Sequence, residues 1–381
     1  MSSRAYSLAA VIAMLNPGTL PAQDQPIPQS AVKINLPDNS PLTFLSSTVS
    51  DSRATTRGAA LVLDLHMSLT LRNNATTRIH GVTLRVVAQE ATLGGKASVT
   101  YPSLNVGPGE AIPVRIDMQL LRPLQVAGGP LVQVDLDGVL FDNLSFFGPD
   151  RLNSRRTLTA CDLEARRDRE YFKRVLTQSG VEGLGREMRL SLARQAEAGQ
   201  LTVAVSRAGR NVTSAAVAEH SEDFAFLEFP DSPIQPIKGS AMLAGNEARA
   251  PRIDVRNRGN RAVKYVEMGW IVSDSSNKQY MAGSLPSADH DIALAPGKST
   301  SLLQDTTLNF TAKGRPVPVQ HMIGFVSQVE FTDGKIWVPN RENLTTGELR
   351  NVMPPSAEEQ RLSDIYRKRG PEALVAELNR Y

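Results

Sequence analysis

Short turn motifs recur in one order in the first and last thirds of this 381-residue chain, and that repetition restricts what it can fold into. Leu36-Pro37-Asp38-Asn39-Ser40-Pro41 corresponds to Phe229-Pro230-Asp231-Ser232-Pro233, and Arg72-Asn73-Asn74 to Arg256-Asn257-Arg258. Val106-Gly107-Pro108-Gly109 corresponds to Leu294-Ala295-Pro296-Gly297, and Phe147-Gly148-Pro149-Asp150-Arg151 to Trp337-Val338-Pro339-Asn340-Arg341. The offsets are 193 (Pro37 to Pro230), 184 (Asn73 to Asn257), 188 (Pro108 to Pro296) and 190 (Pro149 to Pro339). They drift by a few residues, as loop insertions in a duplicated unit would make them.

Both copies are filled with strand signals. Leu61 to Leu71 alternates apolar and polar residues, as do Val114 to Met118 and Val132 to Leu136, and a half-buried strand requires this period of two. Ile323 to Phe331 continues the pattern into a Thr332-Asp333-Gly334 turn of the kind that closes a hairpin. Strands with turn signals every 8–12 residues imply antiparallel sandwiches, and no βαβ alternation points to a parallel sheet. The expected fold is mainly β: two antiparallel immunoglobulin-like sandwiches from an internal duplication, with a helical linker and C-terminal helices. The expected boundaries are a signal peptide (1–22), a disordered segment (23–32), sandwich 1 (33–152), a charged helical linker with a small β subdomain (153–225), sandwich 2 (226–346) and a helical tail (347–381).

The run of strand, Arg-Asn turn, strand and Pro-Gly turn resembles immunoglobulin-like or fibronectin-III-like modules of bacterial envelope proteins. Their Asn-x-Gly and Leu-x-Pro-Gly pattern is matched by Asn257-Arg258-Gly259 and Leu294-Ala295-Pro296-Gly297, whereas the first copy has Asn73-Asn74-Ala75 instead. The resemblance implies a binding or spacer role and leaves the ligand open, because a fold does not fix a function.

The N-terminus carries a second expectation. Arg4, an apolar run from Ala5 to Leu15, the breaker Asn16-Pro17-Gly18 and the small residue Ala22 follow the order of a secretory signal. The run is too short to span a bilayer. The expected location is therefore periplasmic or extracellular, in a bacterial envelope. A single cysteine, Cys161, excludes an intrachain disulfide and a Cys-ligated metal cluster. A net charge of +3 from 42 basic and 39 acidic residues supplies no field for nucleic acid, which is not expected as a partner. The Asn-x-Ser/Thr triplets at Asn74, Asn143, Asn211, Asn309 and Asn343 matter only in a eukaryotic secretory route.

The segment between the copies is charged. Asp150–Arg174 holds eight basic and five acidic residues, and Cys161 to Leu176 is helix-prone, with Thr159 expected to cap it and Asp162 to sit at its positive end. Arg166, Arg167, Arg169, Lys173 and Arg174 are candidate partner-binding residues. The competing reading is a solvated helix laced by i,i+3 and i,i+4 pairs. Residues 186–198 fit helix (Leu184, Met188, Leu192) or strand (Met188, Leu190, Leu192) equally well. In the tail, Ser356-Ala357-Glu358-Glu359 reads as a capping box, and Gly370-Pro371 as a break between two helices.

A search for chemistry finds no catalytic, cofactor or metal motif. His66, His80, His220, His290 and His321 make no ligand pair at helical or strand spacing. Asp289-His290-Asp291 reads as a polar loop tip, and Asp135 and Asp137 as acids flanking an Asp137-Gly138 turn. Ser275 and Lys278 have Ser-x-x-Lys spacing but lack the partner motifs of penicillin-recognising enzymes. Trp270 and Trp337 would form a platform for protein or carbohydrate if exposed, and core otherwise. The expected function is a non-enzymatic exported protein that binds or assembles with another envelope protein or a polysaccharide. The alternatives are a hydrolase or carbohydrate-active protein with a site in the inter-domain cleft, and a chaperone- or pilus-like protein that pairs through a β-edge.

Overall fold

The computed structural model describes residues 24–92, 94–124, 128–197, 201–207, 219–286, 291–303, 306–345 and 347–381. The expected signal peptide (1–22) and His290 lie outside the described residues. The first strands are β1 (Asp24–Pro26), β2 (Val32–Asn35), β3 (Leu42–Val49), β4 (Arg53–Arg57), β5 (Ala60–Asn73), β6 (Ile79–Val87), β7 (Lys96–Tyr101), β8 (Ala111–Pro123), β9 (Val132–Phe141) and β10 (Phe146–Phe147). Helix α1 (Ser154–Glu197) follows. Next come β11 (Thr202–Arg207), β12 (Glu219–Asp223), β13 (Ala225–Leu227), β14 (Ile234–Ala244), β15 (Glu247–Asn257), β16 (Val263–Ser273) and β17 (Gln279–Pro286). Then β18 (Ser299–Leu303), β19 (Thr306–Ala312), β20 (Arg315–Pro316), β21 (His321–Phe331) and β22 (Ile336–Trp337) lead to α2 (Arg341–Leu344), α3 (Leu349–Val352) and α4 (Ala357–Leu378). With 47% strand and 23% helix the protein is mainly β, built from several open sheets.

The chain divides into two compact units. The first takes the described residues within Met1–Asn74, Leu84–Val99 and Gly109–Leu136; the second takes Ala75–Thr83, Thr100–Pro108 and Asp137–Tyr381. In the first unit β5 is the central strand. Leu63, Leu65, Met67, Leu69 and Leu71 are buried at every second position, as the alternation requires. β8 runs antiparallel along β5 from Ala60↔Pro123 to Arg72↔Ala111. β4 and β3 pair with the two ends of β5, so β3 closes one side of the sheet as an edge strand. A second sheet has the order β10-β9-β6-β7, with β2 parallel to β9.

The second unit has sheets of order β11-β19-β15-β14-β12 and β13-β21-β16-β17. Their shared core includes Val255, Val263, Met268, Trp270, Leu308, Phe310, Val326 and Val329. The paired turn motifs adopt the same hydrogen bonding. The Asn73 N–H donates to Glu110 O and its carbonyl accepts from Gly109, while the Asn257 N–H donates to Lys298 O and its carbonyl accepts from Gly297. Both asparagines are fully buried. Isolated bridges Ile79↔Val106 and Val263↔Leu294 follow at matching places.

Two local expectations are corrected. Asp137-Gly138 is not a turn but lies inside β9. Gly138 is required there because a Cβ would lie 2.4 Å from the Phe146 ring. Asp137 is buried, and its carboxylate accepts from the Arg151 and Leu152 amides and from the Ser154 hydroxyl. The helix also starts earlier than Thr159. Asp150 Oδ1 accepts from the Arg155 amide at 2.9 Å, so Asp150 and Asp137 supply the acceptors that Thr159 was expected to give, and Thr159 and Asp162 lie inside the helix.

α1 breaks at Gly180, whose φ of 65° and ψ of −169° suit glycine alone. Residues 186–197 are helical, which decides the ambiguity between helix and strand. α4 breaks likewise at Gly370 and opens with the Ser356 Oγ accepting from the Glu359 amide at 3.1 Å. Phe172, Leu184 and Met188 of α1 and Leu362, Leu374 and Leu378 of α4 form one buried cluster, so the tail packs as helix against helix. β11 pairs with β19 and so belongs to the larger sheet of this unit.

Candidate functional site

Asp168 lies on α1 and is fully buried. An isolated buried carboxylate would be untenable, so its surroundings are charged. Its Oδ1 accepts from Arg167 Nε at 3.0 Å and from Arg341 Nη1 at 3.1 Å. Its Oδ2 accepts from Ser356 Oγ at 2.5 Å. Burial raises the cost of ionising Asp168, but the Arg167 and Arg341 guanidiniums and the Ser356 hydroxyl outweigh it and hold the acid below the usual carboxylate range. Arg341 Nη1 also donates to Glu359 Oε2 at 2.8 Å, and Glu359 accepts from Arg194 as well. Thus α1, α2 and α4 each contribute charged groups to one buried network.

The network borders a cavity of about 330 Å³. Arg167, Arg194, Arg341, Ser356 and Glu359 form its polar wall with Glu164 and Ser327, and Met281, Phe325, Leu344 and Met353 part of its apolar wall. Burial pushes the Glu164 carboxyl up, toward its neutral form; Arg167 opposes this, and Asp168 and Glu267 reinforce it. Two residues of the wall each carry an enclosed polar atom with no hydrogen-bond partner among the described residues, Arg341 its Nε and Ser327 its Oγ.

The candidate residues from the basic run have distinct places. Arg167 is in the cavity wall and donates to Pro339 O at 2.9 Å in addition to Asp168. Arg169 is buried, 3.2 Å from Glu358, with its guanidinium 4.0 Å from the centre of the Tyr381 ring. Arg166 donates to Asp162 at 2.7 Å and to Asp142 O. Asp162 is buried and also bonds His80 Nδ1 at 2.9 Å. Lys173 is partly exposed, and Arg174 is exposed beside Glu342 at 3.3 Å. Trp270 is 3% exposed and packs edge-on to Phe224, while Trp337 is half-buried and donates to Asp231 at 3.2 Å. The structure therefore brings Arg167 into the cavity and does not join Trp270 to Trp337.

Arg341, Glu359, Ser356 and Ser327 were not among the candidates. The available signals were the Pro339-Asn340-Arg341 match to Pro149-Asp150-Arg151 and the capping box at Ser356. Elsewhere, Cys161 has its thiol pushed up to about 12 by burial and then by Glu164. Among the described residues no group of three or more His, Cys, Asp or Glu could hold a metal, and no helix is long and apolar enough to cross a membrane.

No family model and no curated protein matches the chain. Among solved structures, it is similar over 38% of its length to the putative ApaA protein from Bordetella pertussis, 91% of which is covered, at 14% identity and a TM-score of 0.18. A β-glucosidase from Kluyveromyces marxianus matches over 71% of this chain and 45% of its own length, at 11% identity and a TM-score of 0.14. Similarity at that level carries no argument about fold or function.

Proposed function

We propose that this is a non-enzymatic exported protein of a bacterial envelope, acting in binding or assembly through two immunoglobulin-like sandwiches of common origin. The matching hydrogen bonds at Asn73 and Asn257 support the duplication. The partner in this reading is an extended polypeptide segment that adds as a strand to β3.

The observation that carries it is the contrast between the two edges of the first sheet. β8 holds Pro113, Arg115, Arg122 and Pro123, and Pro and charge are the usual guards against strand addition. β3 reads Leu-Thr-Phe-Leu-Ser-Ser-Thr-Val, with no Pro and no charge. Phe44 and Leu45 on it are 42% and 39% exposed, and an open groove of about 710 Å³ runs beside it, walled by residues of β2 and β3. The Gln29 side chain already imitates one residue of an added strand. Its Oε1 accepts from the Val49 amide at 2.9 Å and its Nε2 donates to Ser47 O at 3.3 Å, covering the far end of the edge. Backbone pairing would supply affinity and the groove a side-chain pocket.

The test places a photo-crosslinking residue at Thr43 on β3 or at Arg115 on β8, in cells. The reading expects a discrete adduct from Thr43 alone, lost with Leu45→Pro. Equal crosslinking from both edges, or turnover of a substrate by the purified chain, would overturn it.

A further inference from the structure

The groove beside β3 has an equivalent beside β14, and the two differ in what fills them. Leu42 pairs with Asn73 and Ile234 with Asn257, and the register then shifts at Leu45 in β3 and at Ile237 in β14. Ser40 and Ser232 lead into these strands alike, each Oγ accepting from the amide two residues on, Leu42 at 3.0 Å and Ile234 at 3.3 Å. The Asn74 and Arg258 amides donate to Pro41 O and Pro233 O at 2.8 and 2.9 Å. Each turn before the strand closes on a carbonyl: Pro37 O accepts from the Ser40 amide at 2.9 Å, and Phe229 O from the Ser232 amide at 3.1 Å. In the second copy these carbonyls also hold a guanidinium. Arg258 Nε donates to Ser232 O at 2.6 Å, and its Nη2 donates to Phe229 O. Arg258, Ser232, Ile234 and Pro236 line a pocket with no room for a water molecule. In the first copy Asn74 stands where Arg258 does, and its side chain is shorter and uncharged. Among the described residues Pro37 O and Ser40 O receive no side-chain donor. Their residues, with Leu42, Phe44 and Asn74, line the open groove of about 710 Å³.

We propose that the segment added to β3 carries an arginine, whose guanidinium takes in this groove the place that Arg258 holds in the second copy. It donates to Ser40 O and Pro37 O, and Asp38, also in the lining, supplies a countercharge. Lys33 and Asp38 are the charged residues of the lining and they cancel, so recognition comes from the placed acceptors and not from a net field. A guanidinium presents a planar fork that spans two carbonyls, which an ammonium does not. The inference rests on strand addition at β3 and names the chemistry of the partner.

The test titrates the full chain with a fluorescent heptapeptide of alternating threonine and valine, and with versions carrying arginine at each position in turn. Citrulline, a neutral analogue of the same shape, and lysine serve as controls at the same positions. The proposal expects arginine at one position to bind about tenfold or more tightly than citrulline or lysine there. Asn74→Arg should fill the groove from within, as Arg258 does, and abolish that preference while the parent peptide still binds. Asn74→Ala should leave the preference intact, and Asp38→Asn should weaken the arginine peptide several-fold without affecting the citrulline one. Leu45→Pro should abolish binding of every peptide. A parent peptide that binds and is lost with Leu45→Pro, but gains nothing from arginine, would overturn this inference and leave strand addition standing. Lysine matching arginine, or a preference that survives Asn74→Arg, would also overturn it. If no peptide binds, the parent included, strand addition at β3 fails and the inference fails with it.

Discussion

Asp168→Asn tests the buried charge network most directly, because it removes a charge while keeping the size of the side chain. Asp168 is fully buried, and its two oxygens receive Arg167, Arg341 and Ser356. With asparagine there, Arg167 and Arg341 would lose the buried carboxylate that they share. Removing one member of a buried ion pair costs roughly 3–5 kcal/mol, most of it from the charge left behind. Both tryptophans of the chain, Trp270 and Trp337, lie in the second unit, so urea unfolding followed by tryptophan fluorescence reports on that unit. With a urea slope of about 2 kcal/mol per molar, the midpoint at pH 7 should fall by about 1.5–2.5 M. The pH dependence supplies an independent check. The folded-state pKa of Asp168 is depressed, so its contribution is present above the unfolded pKa of about 3.9 and fades as pH falls through the lower folded value. The gap between wild type and Asp168→Asn should therefore narrow below about pH 4. A midpoint shift under about 0.5 M at pH 7, or a gap that stays constant down to pH 2, would refute the reasoning.

Other outcomes follow from the same unit. The folded-state pKa of Glu164 is raised, so its protonated form stabilises the fold at low pH and this is lost as pH rises through the raised value; Glu164→Gln should be at least as stable as wild type at pH 7 and lack that loss, read as the difference between the two urea midpoints across pH. Cys161, with its thiol near 12, holds a thiolate fraction of about one in ten thousand at pH 8, so iodoacetamide should label the native chain at least a hundredfold more slowly than the urea-unfolded chain. Phe172 is fully buried between α1 and α4, so Phe172→Ala should cost about 3–5 kcal/mol by urea unfolding, and a loss under about 1 kcal/mol would mean that the helical layer does not unfold with the sheets.

The sheets were legible because their signal is local. The side chains of β5 alternate between core and solvent, and the period of two is written in the residues themselves. Residues 186–198 were not legible, because Met188 fits either period. What decides is Leu190, which the strand reading would bury with Met188 and Leu192, but which is 53% exposed while Met188 is fully buried against α4. The partners that settle it, Leu362 and Leu374, lie far along the chain.

The cavity was hidden for a sharper reason, in that equivalent sequence positions acquire different environments. Arg151 and Arg341 end matching Pro-Asp and Pro-Asn motifs, and nothing in either motif separates them. Arg151 is exposed and uses its backbone amide to bond Asp137. Arg341 is buried and uses its guanidinium to join Asp168, 173 positions away, to Glu359, 18 positions away. The basic run of α1 misled in the same way. A charge run is read as solvated because a charge without a partner must stay in water, but Arg167 and Arg169 have carboxylate partners, and Arg169's partner Glu358 comes from α4. Once a distant segment supplies the opposite charge, the run can be buried. Sequence patterning therefore identifies which residues are charged, and tertiary pairing decides which of those charges can leave water.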